Sequence, residues 1–515
     1  MAVIHYHMVR EIIAGIVIVY IIGMLGIGYY FHQKGIADLE DFFLAGKGAP
    51  WYLIALSFFA TAIGAGGTIG LSASTFEAES ITAFWSYGIA IFSFFIVAFL
   101  LGHKLPKTRN ITIPSMLEDR YDEKTRAAAV PFYLLRFIST LGAQWLAAGT
   151  IISFLFADAI TVTEAAIIGA IIITAYTVMG GMSAVMWTDF VQGCILFVGL
   201  WLLAIMGMMN LGGFSSATSQ VTDVAPQAFD LFAMKWTLIA GYVVTLVPTM
   251  LVRQGYLQRI MSAKSPRDGF VGTTLNGFIG LAFIPVPLII GAIGLVMYAD
   301  IQNPQLIMPQ MAMDILPDWL AGVVLAALAA AIMSSGDSFL LSGSSNVVDD
   351  IYLRYLNPDA GRDKQTTVSQ VTVVGLMIFS LGLALIVPGI IDLIVFGAVA
   401  LTGGVLVPWL ATFYWPRGTS DAAFWSLIVG AGLTVAWWWV GYFAGTSEYM
   451  GLHPVFVGLP MSILLFFGIS LMQEPEYEKA LATARKHNLE DLERKTKRAM
   501  NRGEQRQPPT IEDTD

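Results

Sequence analysis

The chain has 515 residues, of which 56% are hydrophobic and only 13% charged. A soluble domain carries about 25% charged residues, so the deficit points to a protein solvated by lipid. A single cysteine, Cys194, excludes an internal disulfide and any multi-cysteine metal or iron–sulfur site. The net charge of −9 says little about nucleic acid, because the charges are sorted by loop rather than pooled.

Along the chain, apolar runs predict thirteen spanning segments, near 11–31, 51–76, 84–101, 128–156, 162–185, 188–210, 233–252, 270–298, 319–348, 368–387, 392–415, 422–444 and 454–472. All are expected to be helices, since a lone strand cannot satisfy its backbone in lipid. The first, Ile12 to Phe31, follows Arg10 and Glu11 and lacks a small-residue cleavage site, so it reads as a membrane helix and not a signal peptide.

The second segment contains Ala60-Thr61-Ala62-Ile63-Gly64-Ala65-Gly66-Gly67-Thr68. Glycines in membrane helices commonly form packing surfaces. Three of them, Gly64, Gly66 and Gly67, fall within four residues here, which favours a discontinuous helix that bares carbonyls to a cavity. In the fourth segment Arg136 is the only arginine inside a predicted span, and snorkelling to the cytoplasmic interface is its expected arrangement. Asp189, in Gly180-Gly181-Met182-Ser183-Ala184-Val185-Met186-Trp187-Thr188-Asp189, reads either as part of a helix N-cap or as a carboxylate at the inner mouth.

The ninth segment carries Ala331-Ile332-Met333-Ser334-Ser335-Gly336-Asp337-Ser338. Its spacing places the Ala331 carbonyl and the Ser334 hydroxyl on one helix face. Hydroxyls in such helices often bond back to their own carbonyls. A carboxylate there costs about 2.5–3.5 kcal/mol on insertion scales and calls for an interior or wet position with a partner. Together with the break after Ile63, these oxygens can wrap a small hard cation. Asp392 follows Pro388-Gly389 and reads as a cap. Tyr87, Gln144, Trp145, Tyr242, Thr402, Gly403 and Gly404 are candidates to line a central pocket, although aromatic and small residues also simply pack.

The six histidines, His5, His7, His32, His103, His453 and His487, all lie outside predicted helix cores. This speaks against haem ligation and a buried histidine relay. No nucleotide-binding loop is evident, which speaks against ATP as the driving force. Sorting the loops by side collects 25 of the 28 Lys and Arg residues on one face, the exceptions being Arg10, Arg136 and Lys235. By the positive-inside rule the N-terminus is expected outside and the C-terminus in the cytoplasm of a multi-pass cell-membrane protein. The opposite face carries acids such as Glu77, Asp158, Asp230, Asp314 and Glu448. The membrane domain is taken as 1–473. The charged tail, 474–515, has a weak stripe of Leu481, Leu489 and Leu492, and is expected to solvate or to lie on anionic lipid.

Five motifs in order make the chain resemble the sodium:solute symporter family: Phe43-Leu44-Ala45-Gly46-Lys47; the Gly-Gly…Trp-Thr-Asp stretch ending at Asp189; Gln258-Arg259 with Ala263-Lys264-Ser265; Ser334 to Ser338 through Asp350-Ile351-Tyr352; and Gly403-Gly404 with Pro408 and Tyr414-Trp415. The resemblance implies a LeuT-type core with two five-helix inverted repeats, about 51–210 and 233–415. The second and seventh helices would be broken at mid-membrane, and 422–472 would hold two further helices. It implies a co-transported sodium ion held by the carbonyls of Ala60, Ile63 and Ala331 and the hydroxyls of Ser334 and Ser335. Some members hold a second sodium where Asp189, Asp337 and Ser338 lie here. For substrate it points to Gly64, Gly66, Gly67, Thr68, Tyr87, Gln144, Tyr242 and Thr402. The proline and sugar carriers place polar or acidic side chains where this chain has Gly66 and Gly67, a departure that argues against both substrates. Half-helix N-termini favour carboxylates, so a small organic acid or amino acid is expected.

The function expected is therefore sodium-coupled import of a small polar solute across the lipid bilayer. Enzymatic activity and nucleic-acid binding are not expected. The rival reading on the same fold is proton coupling through Asp337. A transporter-like sensor is a more distant one, since the short tail shows no signalling domain.

Overall fold

Lipid offers no hydrogen bonds, so an apolar chain that enters it must close its own backbone ladder. The described chain obeys this: it is helical, and its only extended pairing is an isolated bridge between Ala49 and Ala263. The computed structural model describes residues 2–34, 38–156, 159–387, 389–446 and 449–504, with side chains except at 2–11, 32, 34, 176, 179, 180 and 502–504. Asp158, Pro388, Glu448, the tail from 505 and the side chains of His5, His7, Arg10, Glu11 and His32 lie outside that description.

The principal helices are α1 (Ala2–Lys34), α2 (Trp51–Ile63), α3 (Gly66–Glu77), α4 (Ile81–Gly102), α5 (Ile113–Arg120), α6 (Glu123–Leu155), α7 (Val162–Asn210), α8 (Phe214–Val224), α9 (Trp236–Thr249) and α10 (Gln254–Met261). There follow α11 (Pro266–Met297), α12 (Ile307–Ile315), α13 (Asp318–Leu356), α14 (Arg362–Ile386), α15 (Ile390–Tyr414), α16 (Ser420–Phe443), α17 (Val455–Met472), α18 (Tyr477–Lys486) and α19 (Glu490–Glu504).

Among the described residues eleven helices are long and apolar enough to cross a membrane, and α2 with α3, bent by 58°, adds a twelfth. The remaining predicted segment, 162–185, is the first arm of α7, which runs from Val162 to the kink at Gly181. Among the described residues the spans that qualify by length and composition thus number up to twelve, with Val162–Ala175 as a further, shorter apolar stretch. The expected boundary between 185 and 188 is absent. The helix instead kinks at Gly181, where φ is +60° and a Cβ would press on the Phe42 ring at 3.0 Å.

Both broken helices implied by the resemblance are present. The 58° bend separates α2 from α3. Pro248 precedes the end of α9, and the chain runs extended at Arg253 before α10 begins. The exposed carbonyls of this second break are held in place: Trp409 Nε1 donates to Leu251 O at 2.7 Å and Tyr133 OH to Val252 O at 2.8 Å.

In their most apolar windows α13 and α15 are 78% and 83% buried, whereas α1 and α14 are 22% buried. The first pair thus forms the interior and the second the periphery, with α13 packed on α7, α6, α1 and α2.

Three expectations are corrected here. Arg136 does not snorkel: it is 1% exposed, and its Nη1 reaches inward to Ile394 O. Arg253 and Arg259, counted as loop cations, are buried within and just after the second break. The tail does not float free. Leu481, Leu489 and Leu492 are buried, and α18 docks on α5. Thr483 Oγ1 donates to Asp119 O at 2.7 Å, and Lys486 Nζ lies 2.7 Å from the Asp119 carboxylate.

Candidate functional site

Ile63 ends α2, and Gly64 follows at φ +49°, a conformation that a side chain disfavours. A Cβ there would also collide with Ser335 Oγ, so glycine is required both for the turn and for the approach of α13. At the break the Gly64 N–H makes only a long bond, 3.5 Å, to Ala60 O, and hydroxyls reach five successive carbonyls. Ser334 Oγ donates to Ala60 O at 3.0 Å and lies 3.2 Å from Ala331 O. Ser335 Oγ donates to Thr61 O at 2.9 Å. Tyr87 OH donates to Ala62 O at 2.7 Å and reaches Ile63 O at 3.3 Å. Thr68 Oγ1 donates to Gly64 O at 2.7 Å. Every carbonyl from 60 to 64 thus meets a hydroxyl, and all of these residues are buried. The donor set nearest the two serines consists of neutral oxygens. That suits a small monovalent cation, because divalent ions gather carboxylates.

One turn away along α2 and α13 the chemistry changes. Asp189 is fully buried and sits in mid-helix, with Thr188 bonded back to Ala184 O and Val185 O, so neither residue caps a helix. Arg259 Nη2 pairs with Asp189 Oδ2 at 2.7 Å, both side chains being 0% exposed. The other nitrogens of Arg259 are also used: Nε donates to Ser57 Oγ at 2.8 Å and Nη1 to Gly255 O at 2.6 Å. Nη2 further contacts Thr61 Oγ1 and Ser338 Oγ. Ser338 in turn lies 3.0 Å from Asp337 Oδ1. Asp189, Asp337 and Ser338 therefore do converge, and in this conformation the guanidinium of Arg259 stands where a second sodium was expected. Beside them Tyr20 OH accepts from Gln192 Nε2 at 2.9 Å, within electrostatic reach of both aspartates.

The expected substrate residues split into two groups. Gln144 Oε1 accepts from Ala65 N at 3.1 Å, across the break. The Tyr87 ring covers Gly66 and Gly67, where added Cβ atoms would lie 2.6 Å and 3.0 Å from it. Thr402 sits elsewhere, donating to Thr245 O at 2.9 Å and touching Thr249 at the end of α9. Tyr242 lines a separate cavity of about 380 Å³ together with Glu77, Gln305 and Asp392. Asp392 is in the first turn of its helix, and its carboxylate folds back over Gly389 at that helix's start.

The sodium:solute symporter family profile matches residues 42–430. The chain belongs to this family. The symporter is 27% identical over 492 residues to the sodium/glucose cotransporter of Vibrio parahaemolyticus, covering 87% of each chain. It is 25% identical over 473 residues to the high-affinity proline transporter PutP of Bacillus subtilis, covering 88% of this chain and 96% of the relative. Its fold superposes on a Na+-coupled sialic acid symporter in a substrate-bound outward-open state, with a TM-score of 0.77, 21% identity and coverage of 90% and 98%. The symporter is thus a multi-pass membrane transporter with a LeuT-type core, and not an enzyme.

Reading the sequence alone missed Arg259, Ser57 and Thr61 as site residues. Arg259 stood in a recognised motif, yet its partner Asp189 is 70 positions away and nothing local signals the pairing. Thr61 lies between the quoted Ala60 and Ile63, and its hydroxyl ties the two oxygen clusters together through Asp189 at 3.3 Å and Ser338 at 3.3 Å.

Proposed function

We propose that this symporter imports a small polar organic solute, an organic acid or amino acid, on the inward sodium gradient. Its sodium would be bound by Ala60, Ile63, Ala331, Ser334 and Ser335. The observation that carries the reading is the pair of serine hydroxyls set on the carbonyls of Ala60 and Thr61 across the break. A sodium ion entering there takes the place of those hydrogen bonds and pins α2 to α13. The solute then occupies the space between the two broken helices, about 51–210 and 233–415 acting as inverted repeats that rock from outward- to inward-facing. At −100 mV one entering charge supplies about 2.3 kcal/mol, enough for roughly tens-fold accumulation of a neutral solute. The N-terminus is placed outside and the C-terminus in the cytoplasm.

The named relatives carry glucose and proline, but Gly66 and Gly67 lie under Tyr87 and Ile394 with no room for the polar side chains expected in such carriers. The deciding measurement is uptake into proteoliposomes under a sodium gradient with pH clamped on both sides. Uptake that follows sodium supports the proposal. Uptake that ignores sodium and follows a proton gradient transfers the coupling role to Asp337 and overturns it.

A further inference from the structure

Two arginines near the second break have no use in the account above. Arg136 on α6 is 1% exposed and Arg253, between α9 and α10, is 2% exposed. Arg136 spends Nη1 on Ile394 O, while its Nε and Nη2 make no hydrogen bond to any described residue. Those two nitrogens form the side edge that a carboxylate meets with both oxygens. Arg253 stacks on the rings of Tyr256 at 4.1 Å and Phe339 at 4.6 Å; its Nε and Nη1, which diverge and so each offer a single bond, are without a partner, as is the Tyr256 hydroxyl. The two are brought together by their neighbours: Tyr133, one turn before Arg136 on α6, donates to Val252 O beside Arg253 at 2.8 Å, and Phe137 packs against the Phe339 ring that Arg253 covers. No described carboxylate forms an ion pair with either. Ile394, whose carbonyl holds Arg136, also packs its Cδ1 on Gly66 at the first break. The pair therefore adjoins the region assigned to the solute.

An unpaired buried charge is costly, and an ionisable side chain inside the membrane domain marks a substrate or ion pathway. We propose that Arg136 and Arg253 form a two-pronged anion site and that the transported solute carries two carboxylates, one for each guanidinium. This rests on the symport reading and names its substrate class. At Arg136 arginine suits the task better than lysine, since its free Nε and Nη2 edge matches a carboxylate with two parallel bonds.

The test is thermal melting and calorimetric titration of the full chain in lipid nanodiscs, in sodium or choline chloride. The probes are succinate, its half-amide, butyrate, inorganic phosphate, proline and glucose. Succinate is expected to bind in sodium only, with the half-amide and butyrate at least tenfold weaker. Arg136→Met and Arg253→Met are each expected to lose succinate binding at least tenfold while melting no lower than the parent protein without ligand. Should either fail to fold, Arg136→Lys and Arg253→Lys keep the charge but lose the guanidinium, and are expected to weaken succinate more than tenfold. Proline or glucose binding in sodium while succinate does not bind overturns the dicarboxylate site and leaves symport standing. Phosphate binding as tightly as succinate, or a large loss of melting temperature in the ligand-free Met variants, also overturns it. If neither sodium nor any of these solutes shifts the melt, the symport reading falls as well.

Discussion

Arg259 and the pair Arg136 and Arg253 are equally buried, yet they are built in opposite ways. Arg259 bonds Asp189, Ser57, Gly255, Thr61 and Ser338 and leaves no nitrogen without a partner. Arg136 and Arg253 together keep four buried nitrogens without hydrogen bonds. A neutralised cation is part of the scaffold, and its removal leaves an opposite charge stranded. A cation held without its complement is strained in the resting protein, and its removal relieves that strain. The sharpest way to break this comparison is therefore stability. Arg259→Gln or Asp189→Asn alone should destabilise by about 3–5 kcal/mol, because each strands a buried charge. The double variant should recover most of that loss. Denaturation in detergent, followed by intrinsic fluorescence, measures it; a single variant as stable as the parent would remove Arg259 from the scaffold role.

The next effects fall on the sodium half. Gly64→Ala requires φ +49° of a residue with a side chain and drives its Cβ into Ser335, so sodium-dependent uptake should drop at least tenfold. Ser334→Ala and Ser335→Ala each remove one hydroxyl from neutral carbonyls and should raise the sodium concentration for half-maximal uptake several-fold with expression intact. Unchanged sodium dependence in both would take those hydroxyls out of the site. Asp337→Asn should impair uptake more than Asp392→Asn, since Asp337 is buried beside Ser338 and Asp392 lines the cavity shared with Glu77 and Tyr242. Equal, mild effects would count against it.

What could be read in the sequence follows the range of the interaction. The break at Gly64 was legible because glycine density is local, and the spacing of Ala331, Ser334 and Ser335 is helix geometry. The kink at Gly181 was set several residues late because Thr188-Asp189 has the composition of a cap. Only the approach of Arg259 shows that this carboxylate is already engaged in mid-helix. Arg136 was misread for a related reason. Distance from a helix end suggests snorkelling, but the face of the helix decides, and that face meets α15. The second break carries Pro248 as a local cue, yet what stabilises it are Tyr133 and Trp409 from helices far along the chain. The leucine stripe of the tail was visible, but not the surface that would receive it.

That tail gives the smallest effect expected, and it tests whether a paired charge outside the membrane follows the same logic as Arg259. Asp119 on α5 meets Lys486 and His487 of the tail at 2.7 Å and 3.0 Å. Burial alone would raise its pKa, but the hydrogen bonds from His487 and Lys486 outweigh burial and hold the carboxyl below its ordinary value. A carboxyl depressed in this way contributes to docking at every pH above its ordinary range near 4. The contribution fades only as pH falls through the lower, docked value. Hydrogen exchange across Tyr477–Lys486 should accordingly show the same protection at pH 8 and pH 5, after correction for the intrinsic rate, and lose it below about pH 4. Because Lys486 is half exposed, solvent screening keeps the pair weak: Asp119→Asn should cost the docked tail about 1 kcal/mol or less and leave sodium-driven uptake unchanged. A larger loss of protection, or a fall in uptake, would mean that the tail is coupled to the transport cycle and that the charge at Asp119 is part of that coupling.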